Sequence, residues 1–146
     1  MNKIRTILAL IACTAMSWAA DLGIKLDAFK VVPATATTAE SFVAADAAAP
    51  GDIIEYRATY TNATASMLRN FLPEIPVPAG LTLIEGSDQP KASLGSLDGN
   101  TFSALPLLGA DGRPVPAASI RALRWNVANL AVGETVTLRV RASVNR

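Results

Sequence analysis

The chain has 146 residues, with 13 Lys and Arg against 12 Asp and Glu, one cysteine and no histidine. A net charge of +1 lacks the clear basic excess that nucleic-acid binding calls for, so we expect no nucleic-acid partner. Without histidine, and with Cys13 as its only thiol, the chain offers no catalytic triad and no histidine-ligated metal site, and we predict no catalytic residue, no metal and no cofactor.

Residues 1–19 have the pattern of a signal peptide. Lys3 and Arg5 precede the apolar run "ILALIACTAM", and "SWA" places small residues where a signal peptidase would cleave after Ala19. The apolar run is shorter than the roughly 20 residues that span a bilayer, so we expect no stable transmembrane anchor. The prediction is export to the cell surface or extracellular space, with the periplasm as the alternative. Lipid attachment at Cys13 is a further alternative, because "LIAC" resembles a lipoprotein box.

Residues 20–41 are predicted to form an N-terminal strand and a connector. In "LGIKLDAFKVV" the residues Leu22, Ile24 and Leu26 share one face, and a later slip of the apolar phase is typical of a strand that bends or carries a bulge. The connector "PATATTAES" has no apolar periodicity. Two arrangements stay open: the strand folds back onto its own sandwich, or it reaches a neighbouring copy and completes the sheet of that copy.

A half-buried strand follows the turn at Pro50-Gly51. In "DIIEYRATYTN" alternation directs Tyr56 and Tyr60 inward, whereas Glu55 and Arg57 fall on the opposite face, where we expect a solvated charge pattern. Such clean alternation over ten residues is the strongest indication of a strand in the chain.

The remaining sequence continues as short strands separated by turns. Asp-Gly pairs in "SLDGNTF" and "LGADGRPV" suit tight reversals and predict a ribbon insertion near 86–119. "LRWNV" and "ETVTLRVRASV" alternate again, and about seven to nine strands without a helix indicate an all-β, antiparallel β-sandwich over residues 42–146. The expected core residues are Tyr56, Tyr60, Trp125, Val136, Leu138 and Val140.

The order of these motifs carries a family resemblance. "PGDIIEYRATYTN", "LPEIPVPAGLTLIEGS" and "LRWNVANLAVGETVTLRVRASV" together resemble the bacterial conserved-repeat domain called domain of unknown function 11. The likeness covers roughly Phe42 to Val144 and implies an immunoglobulin-like sandwich of exported or cell-surface proteins. Members often occur in tandem, whereas this chain has one copy with an insertion. The matching residues are Pro50, Gly51, Asp52, Tyr56, Asn62, Pro78, Ala79, Gly80, Trp125 and Gly133.

Three weaker signals have structural alternatives. Asp46 and Asp52 could supply oxygen ligands for calcium, but so few local oxygens favour turn-capping aspartates. Asn62-Ala63-Thr64 matches a glycosylation sequon, although an asparagine that ends a strand explains it as well. A glycan platform would need several exposed aromatic side chains, whereas most of those present are at inward positions.

The charges are divided unequally along the chain. Residues 20–111 contain 5 basic and 11 acidic side chains, and residues 112–146 contain 6 basic and 1 acidic. Pairing within the chain or between copies would use this asymmetry. We therefore expect an exported, non-catalytic structural or surface-assembly module, with protein partners or self-association; the alternative is a binding module for a protein or a glycan.

Overall fold

The computed structural model describes residues 21–146, which form eleven strands and one short 3-10 turn. The predicted signal peptide and the lipid-anchor alternative at Cys13 lie outside the described residues. The strands are β1 (Leu22–Val32), β2 (Ser41–Ala44), β3 (Ile53–Asn62), β4 (Leu68–Phe71), β5 (Glu74–Pro76), β6 (Leu81–Leu83), β7 (Leu94–Ser96), β8 (Phe102–Ala104), β9 (Ala122–Arg124), β10 (Val127–Leu130) and β11 (Thr135–Val144).

The larger sheet has five strands in the order β2-β1-β3-β11-β6. Its centre is built from the three long strands, because β3 pairs with β1 on one side and with β11 on the other. The cleanly alternating segments of the sequence are these same strands, since alternation gives each of them one apolar face to bury. All of the pairings in this sheet are antiparallel.

A smaller sheet lies against the larger one. It has the order β5-β9-β7-β8, and β4 with β10 forms a separate two-stranded ribbon. The region predicted as a ribbon insertion contributes β7 and β8 to this second sheet, where β7 also pairs with β9. The insertion is therefore part of the sandwich rather than an appendage to it.

The core lies between the two sheets. Ala58, Leu138 and Val140 of the larger sheet pack with Ile75, Leu123 and Trp125 of the opposite layer. The all-β antiparallel sandwich predicted from the sequence is confirmed. Eleven strands replace the expected seven to nine, because eight of them are three or four residues long and too short for period-two alternation to reveal.

The N-terminal strand belongs to the larger sheet of its own chain. From Leu22 to Val31, β1 pairs with β3 at ten consecutive positions, without an inserted residue at the slip of apolar phase. Within one copy β1 therefore has the fold-back arrangement. Exchange of Leu22, Ile24 and Leu26 into a neighbouring copy stays a prediction. Phe29 follows the slip and lies on the outer face, where Phe42 and Arg57 cover it.

The turn at Pro50-Gly51 shows why the sequence needs glycine there. Gly51 has a φ of +91°, which a residue with a Cβ atom adopts only with strain. Its N–H donates to the carbonyl of Val144 at 2.9 Å, and the N–H of Val144 donates to the carbonyl of Asp52 at 2.8 Å. The turn thus fixes the start of β3 against the end of β11.

Candidate functional site

The inner face of the larger sheet is covered over β3 and β11 but not over β1 and β2 in the part of the chain that the structure describes. Ile24 lies opposite Tyr60, and Leu26 lies opposite Ala58, so all four side chains are on the face that the second sheet covers elsewhere. Tyr60 and Ala58 are buried, yet Ile24 is 65% exposed and Leu26 56%. Leu22, at the start of β1, packs against the core.

Two more residues extend this apolar surface. Ala28 follows on β1, and Val43 of β2 lies opposite Lys30, so both are on the same face. Both are exposed, Val43 by 47%. We call Ile24, Leu26, Ala28 and Val43 the uncovered face. Contiguous exposed apolar side chains on a sheet are typical of a surface that contacts another molecule.

The outer face of the same sheet contains a charge cluster. Glu55 is only 3% exposed, and its carboxylate accepts hydrogen bonds from Arg57 at 2.6 Å and from Arg141 at 2.8 Å. Arg141 also donates to both carboxylate oxygens of Glu40, at 2.7 and 3.0 Å. The sequence predicted a solvated pattern for Glu55 and Arg57; that prediction is wrong, because residues of the connector and β2 fold over this face.

Aromatic rings complete the cover of the charge cluster. The guanidinium of Arg57 lies 4.7 Å from the ring centre of Phe29 and 4.4 Å from that of Phe42. Such stacking favours a guanidinium over an ammonium group. Hydrogen bonding to Arg141 lowers the pKa of Glu40, and the same contact is the main cause that raises the pKa of Arg141. Each of these charges has a partner, so the cluster fastens β2 and the connector to the sheet and offers no free reactive group among the described residues.

The acidic N-terminal part and the basic C-terminal part of the chain form ion pairs with each other within one copy. Arg141 joins Glu40 and Glu55, and Arg124 donates to Glu74 at 2.7 Å. These contacts join basic residues of the C-terminal part to acidic residues of the N-terminal part. The pairing follows from β11 and β9 lying beside strands of that earlier part.

The expected core residues lie on or beside the core. Tyr60, Trp125, Leu138 and Val140 are buried, while Tyr56 and Val136 are half-buried and pack against the same cluster. The hydroxyl of Tyr60 donates to the carbonyl of Glu74 at 3.0 Å, and burial raises the pKa of that hydroxyl. The indole N–H of Trp125 donates to the carbonyl of Pro90 at 2.6 Å. Both polar atoms are therefore satisfied inside the sandwich.

The remaining candidates have structural roles. Asn62 is fully buried, and its side-chain N–H groups donate to the carbonyls of Ser66 and Leu130, so the sequon is inaccessible in the folded chain. Asp52 pairs with Lys30 and accepts from the N–H of Ala49, and together these contacts lower its pKa. Residues 21–146 bring no three acidic, cysteine or histidine side chains together as a metal site.

Comparisons with other proteins do not help to interpret these surfaces. Comparison with protein-family models, with curated proteins and with solved structures gives no match for this chain. The resemblance to the conserved-repeat domain stays a prediction. Over the described part of the chain, no helix is long and apolar enough to cross a membrane.

Sequence patterns did not reveal the uncovered face or the charge cluster, and the reason is the same for both. Alternation assigns Ile24 and Leu26 to a face, but it does not say whether a second layer reaches that face. Likewise, Glu55 reads as an outward residue until the register places Arg141 opposite it. The one available signal was Phe42, a large apolar residue two positions after Glu40, where the polar connector ends and β2 begins.

Proposed function

We propose that the chain is an exported, non-catalytic structural module that assembles through protein contacts at the bacterial cell surface or in the extracellular space. The observation that carries the proposal is the uncovered face. A sheet face in a stable sandwich is normally buried by the opposite layer, whereas the four apolar side chains of this face are exposed.

The distribution of apolar residues supports a contact rather than a poorly built domain. Trp125, Leu130 and Leu138 are almost completely buried, so the sandwich already has a closed core without β1 beyond Leu22. The uncovered face is therefore surplus to the core of a single copy. Burying it against a protein would gain about 25 cal/mol for each Å² of apolar surface removed from water.

The location rests on the signal-peptide pattern of residues 1–19 and on the family resemblance. The resemblance also suggests an immunoglobulin-like arrangement within the confirmed sandwich. Mass spectrometry of protein recovered from outside the cytoplasm should give a chain that begins at Ala20 or Asp21. An intact Met1 in the native host would contradict export, and an acylated Cys13 would favour the lipid-anchored alternative.

Assembly is tested by multi-angle light scattering of the purified protein over a wide concentration range at low salt. We expect oligomers that form with increasing concentration, and a variant with Ile24→Thr and Leu26→Thr that stays monomeric. Val132→Thr is the matched control, because Val132 is 58% exposed but lies in the β10–β11 turn, away from the uncovered face. A protein that stays monomeric at the highest concentration contradicts assembly.

A binding module is the second candidate, and a cavity between β6 of the larger sheet and the second sheet favours it. The cavity has a volume of about 270 Å³ and is lined mainly by apolar residues, among them Leu83, Leu107 and Ile120. An apolar lining suits a protein side chain better than a glycan, which needs stacked aromatic rings and many hydrogen bonds. If the protein is monomeric, capture of one purified surface protein that Val115→Arg abolishes would support this candidate, because Val115 lines the cavity and is only half-buried.

A further inference from the structure

The cavity between β6 and the second sheet is lined mainly by residues 86–119, the segment predicted as a ribbon insertion. Leu83 and Leu123 line the cavity and are buried in the core, whereas Leu105 and Val115 line it and are only half-buried. The cavity therefore runs from the surface to the core. Besides adding β7 and β8 to the sandwich, the segment builds an apolar cavity that is open to solvent.

A glycine on β7 positions two leucines of the cavity wall. A Cβ atom on Gly95 would lie 2.8 Å from Cδ2 of Leu105 and 3.3 Å from Cδ1 of Leu107, so both side chains lie against β7 because this position has none. The N–H of Val115 donates to the carbonyl of Leu107 at 2.8 Å, which fixes Val115 beside them. The cavity is the space between these residues and Leu83 of β6. Its wall is set by packing and by a backbone hydrogen bond, as in most preformed binding sites.

Charged side chains lie at the rim of the cavity. Glu85 is exposed in the turn after β6, and among residues 21–146 it has no ion-pair partner. Asp88 and Lys91 also line the cavity, and they pair with each other at 3.7 Å. The carboxylate of Asp88 also accepts a hydrogen bond from the N–H of Ala92 at 2.7 Å. The rim thus has two carboxylates against one ammonium group, and the unbalanced charge is that of Glu85.

We propose that the cavity binds a segment of a partner protein in which a large apolar side chain is next to a lysine or an arginine. The inference rests on the second candidate of the proposed function and names the chemistry of its partner. The apolar side chain displaces water from the cavity, and the neighbouring cation lies at the rim near Glu85. Burial of apolar surface supplies the affinity, and the opposite charge selects the segment.

Size and charge favour this occupant over others. The cavity volume of about 270 Å³ is below the roughly 300–1,000 Å³ of sites that enclose a whole small molecule, but it holds one large side chain. Among the described residues, no aromatic side chain lines the cavity, so a sugar ring has no surface on which to stack. An acidic segment would bring a carboxylate close to Glu85 and Asp88, and this repulsion would lower its affinity.

Titration with short peptides tests the chemistry of the occupant. The probes are acetyl-Leu-Lys-amide, acetyl-Leu-Glu-amide and acetyl-Ala-Lys-amide, and NMR shifts of the backbone amides of Ala92, Leu107 and Val115 report binding. At low salt we expect the Leu-Lys peptide to bind about tenfold more tightly than the Leu-Glu peptide, because their charges are opposite. It should also bind about tenfold more tightly than the Ala-Lys peptide, which buries less apolar surface. High salt should reduce only the first ratio.

Three variants test which residues select the peptide. Glu85→Gln should reduce the preference for the Leu-Lys over the Leu-Glu peptide to about threefold, because it removes the unbalanced charge. Asp46→Asn is the matched control, since Asp46 is an exposed carboxylate that does not line the cavity. Both positions are exposed, so neither change should disturb the fold. Val115→Arg should abolish binding of the peptides by filling the cavity, and circular dichroism checks that this variant is folded.

Failure of this inference differs from failure of the proposed function. Equal binding of the Leu-Lys and Leu-Glu peptides, or an unchanged charge preference in Glu85→Gln, overturns the basic partner segment. Capture of a surface protein that Val115→Arg abolishes would then still support a binding module. The absence of any shift at the cavity with all three peptides overturns the inference, whereas assembly is decided separately by light scattering. Selective binding of the Leu-Lys peptide that Val115→Arg abolishes and Glu85→Gln makes less selective supports the inference.

Discussion

Leu26 and Leu138 lie in one row of the larger sheet, on either side of Ala58, but their environments differ completely. Leu138 has no exposed surface, whereas Leu26 is 56% exposed. Both are leucines on the same face of strands that flank β3. The second sheet covers β3 and β11 and ends before β1, so the position of the other layer alone decides which leucine stabilises a single copy.

The comparison separates two properties that alternation combines. The period of two identifies which side chains share a face, and the opposite layer determines which of them lose contact with water. The covered part of the sheet is therefore expected to govern folding, and the uncovered part to govern association. The following changes test that division, beginning with the largest expected effect.

Trp125→Ala should lower the free energy of unfolding by about 3–5 kcal/mol, the range for a large aromatic truncation in a core. Trp125 is 2% exposed and packs on the covered part of the sheet. Urea unfolding followed by circular dichroism measures the loss. A loss below about 1 kcal/mol, typical of a surface substitution, would show that the covered part is not the stabilising core.

Truncating the two leucines of one row compares the regions directly. Leu138→Ala should cost about 2–5 kcal/mol, whereas Leu26→Ala should change the stability of a single copy by less than about 0.5 kcal/mol. The same chemical change thus has unequal effects on strands that share β3 as a partner. Unfolding is measured at a concentration where the protein is monomeric, and equal losses at the two positions would contradict the division.

The sequence was sufficient to predict the covered part of the sandwich. The Pro-Gly turn, the alternation of β3 and β11, and Trp125 each indicate the same arrangement, because propensity, turn geometry and apolar period agree there. Strands of three residues such as β5 and β7 escaped prediction. Their assignment depends on hydrogen bonds to distant strands, and no local period is long enough to show them.

The uncovered face and the charge cluster were harder to predict, because both depend on the register in which the strands pair. The sequence identified Leu22, Ile24 and Leu26 as one face, but the structure shows which of them have no cover. The same limit explains Glu55, a carboxylate on the outer face. Its burial follows from Arg141, which lies 86 residues away in the chain and opposite it in the sheet.

Removing Arg141 tests whether the outer charge cluster stabilises the sheet. Arg141→Gln should cost about 1–3 kcal/mol, because a buried carboxylate loses one of its two charged hydrogen-bond partners. Arg139→Gln is the matched control on the same strand, and its exposed side chain should change stability by less than about 0.5 kcal/mol. The change in stability of both variants is measured from the denaturant midpoint, provided that the slope of unfolding free energy against denaturant concentration is unchanged.

A further variant identifies the source of the loss at Arg141. Glu55→Gln combined with Arg141→Gln removes the charge that would otherwise lack a partner, so it should recover part of the stability. No recovery, or equal losses for Arg141→Gln and Arg139→Gln, would mean that the cluster does not stabilise the fold.

Lowering the pH should reduce the stability of the fold gradually, and by less than the substitutions described above. Folding lowers the pKa of Asp98, chiefly through hydrogen bonds from the N–H groups of Thr101 and Asn100, and the pKa values of Glu40 and Asp52 are lowered by Arg141 and Lys30. A carboxyl group whose pKa is lower in the folded chain stabilises the fold when the pH is above the ordinary pKa, which is 4.5 for Glu40 and 3.8 for the two aspartates. That stability is lost as the pH falls further, through the pKa of the folded chain.

We therefore expect the urea midpoint to be constant near pH 6 and to fall below about pH 4. The groups lie in both sheets, since Asp98 closes the β7–β8 turn of the second sheet, whereas Glu40 fastens the connector and Asp52 fastens the β2–β3 turn to the larger sheet. Asp98→Asn should reduce the acid dependence of unfolding without changing self-association, and Glu40→Gln should reduce it while loosening β2. A midpoint that rises in acid would contradict the direction of all three shifts, because it requires carboxyl groups that bind protons more tightly in the folded chain.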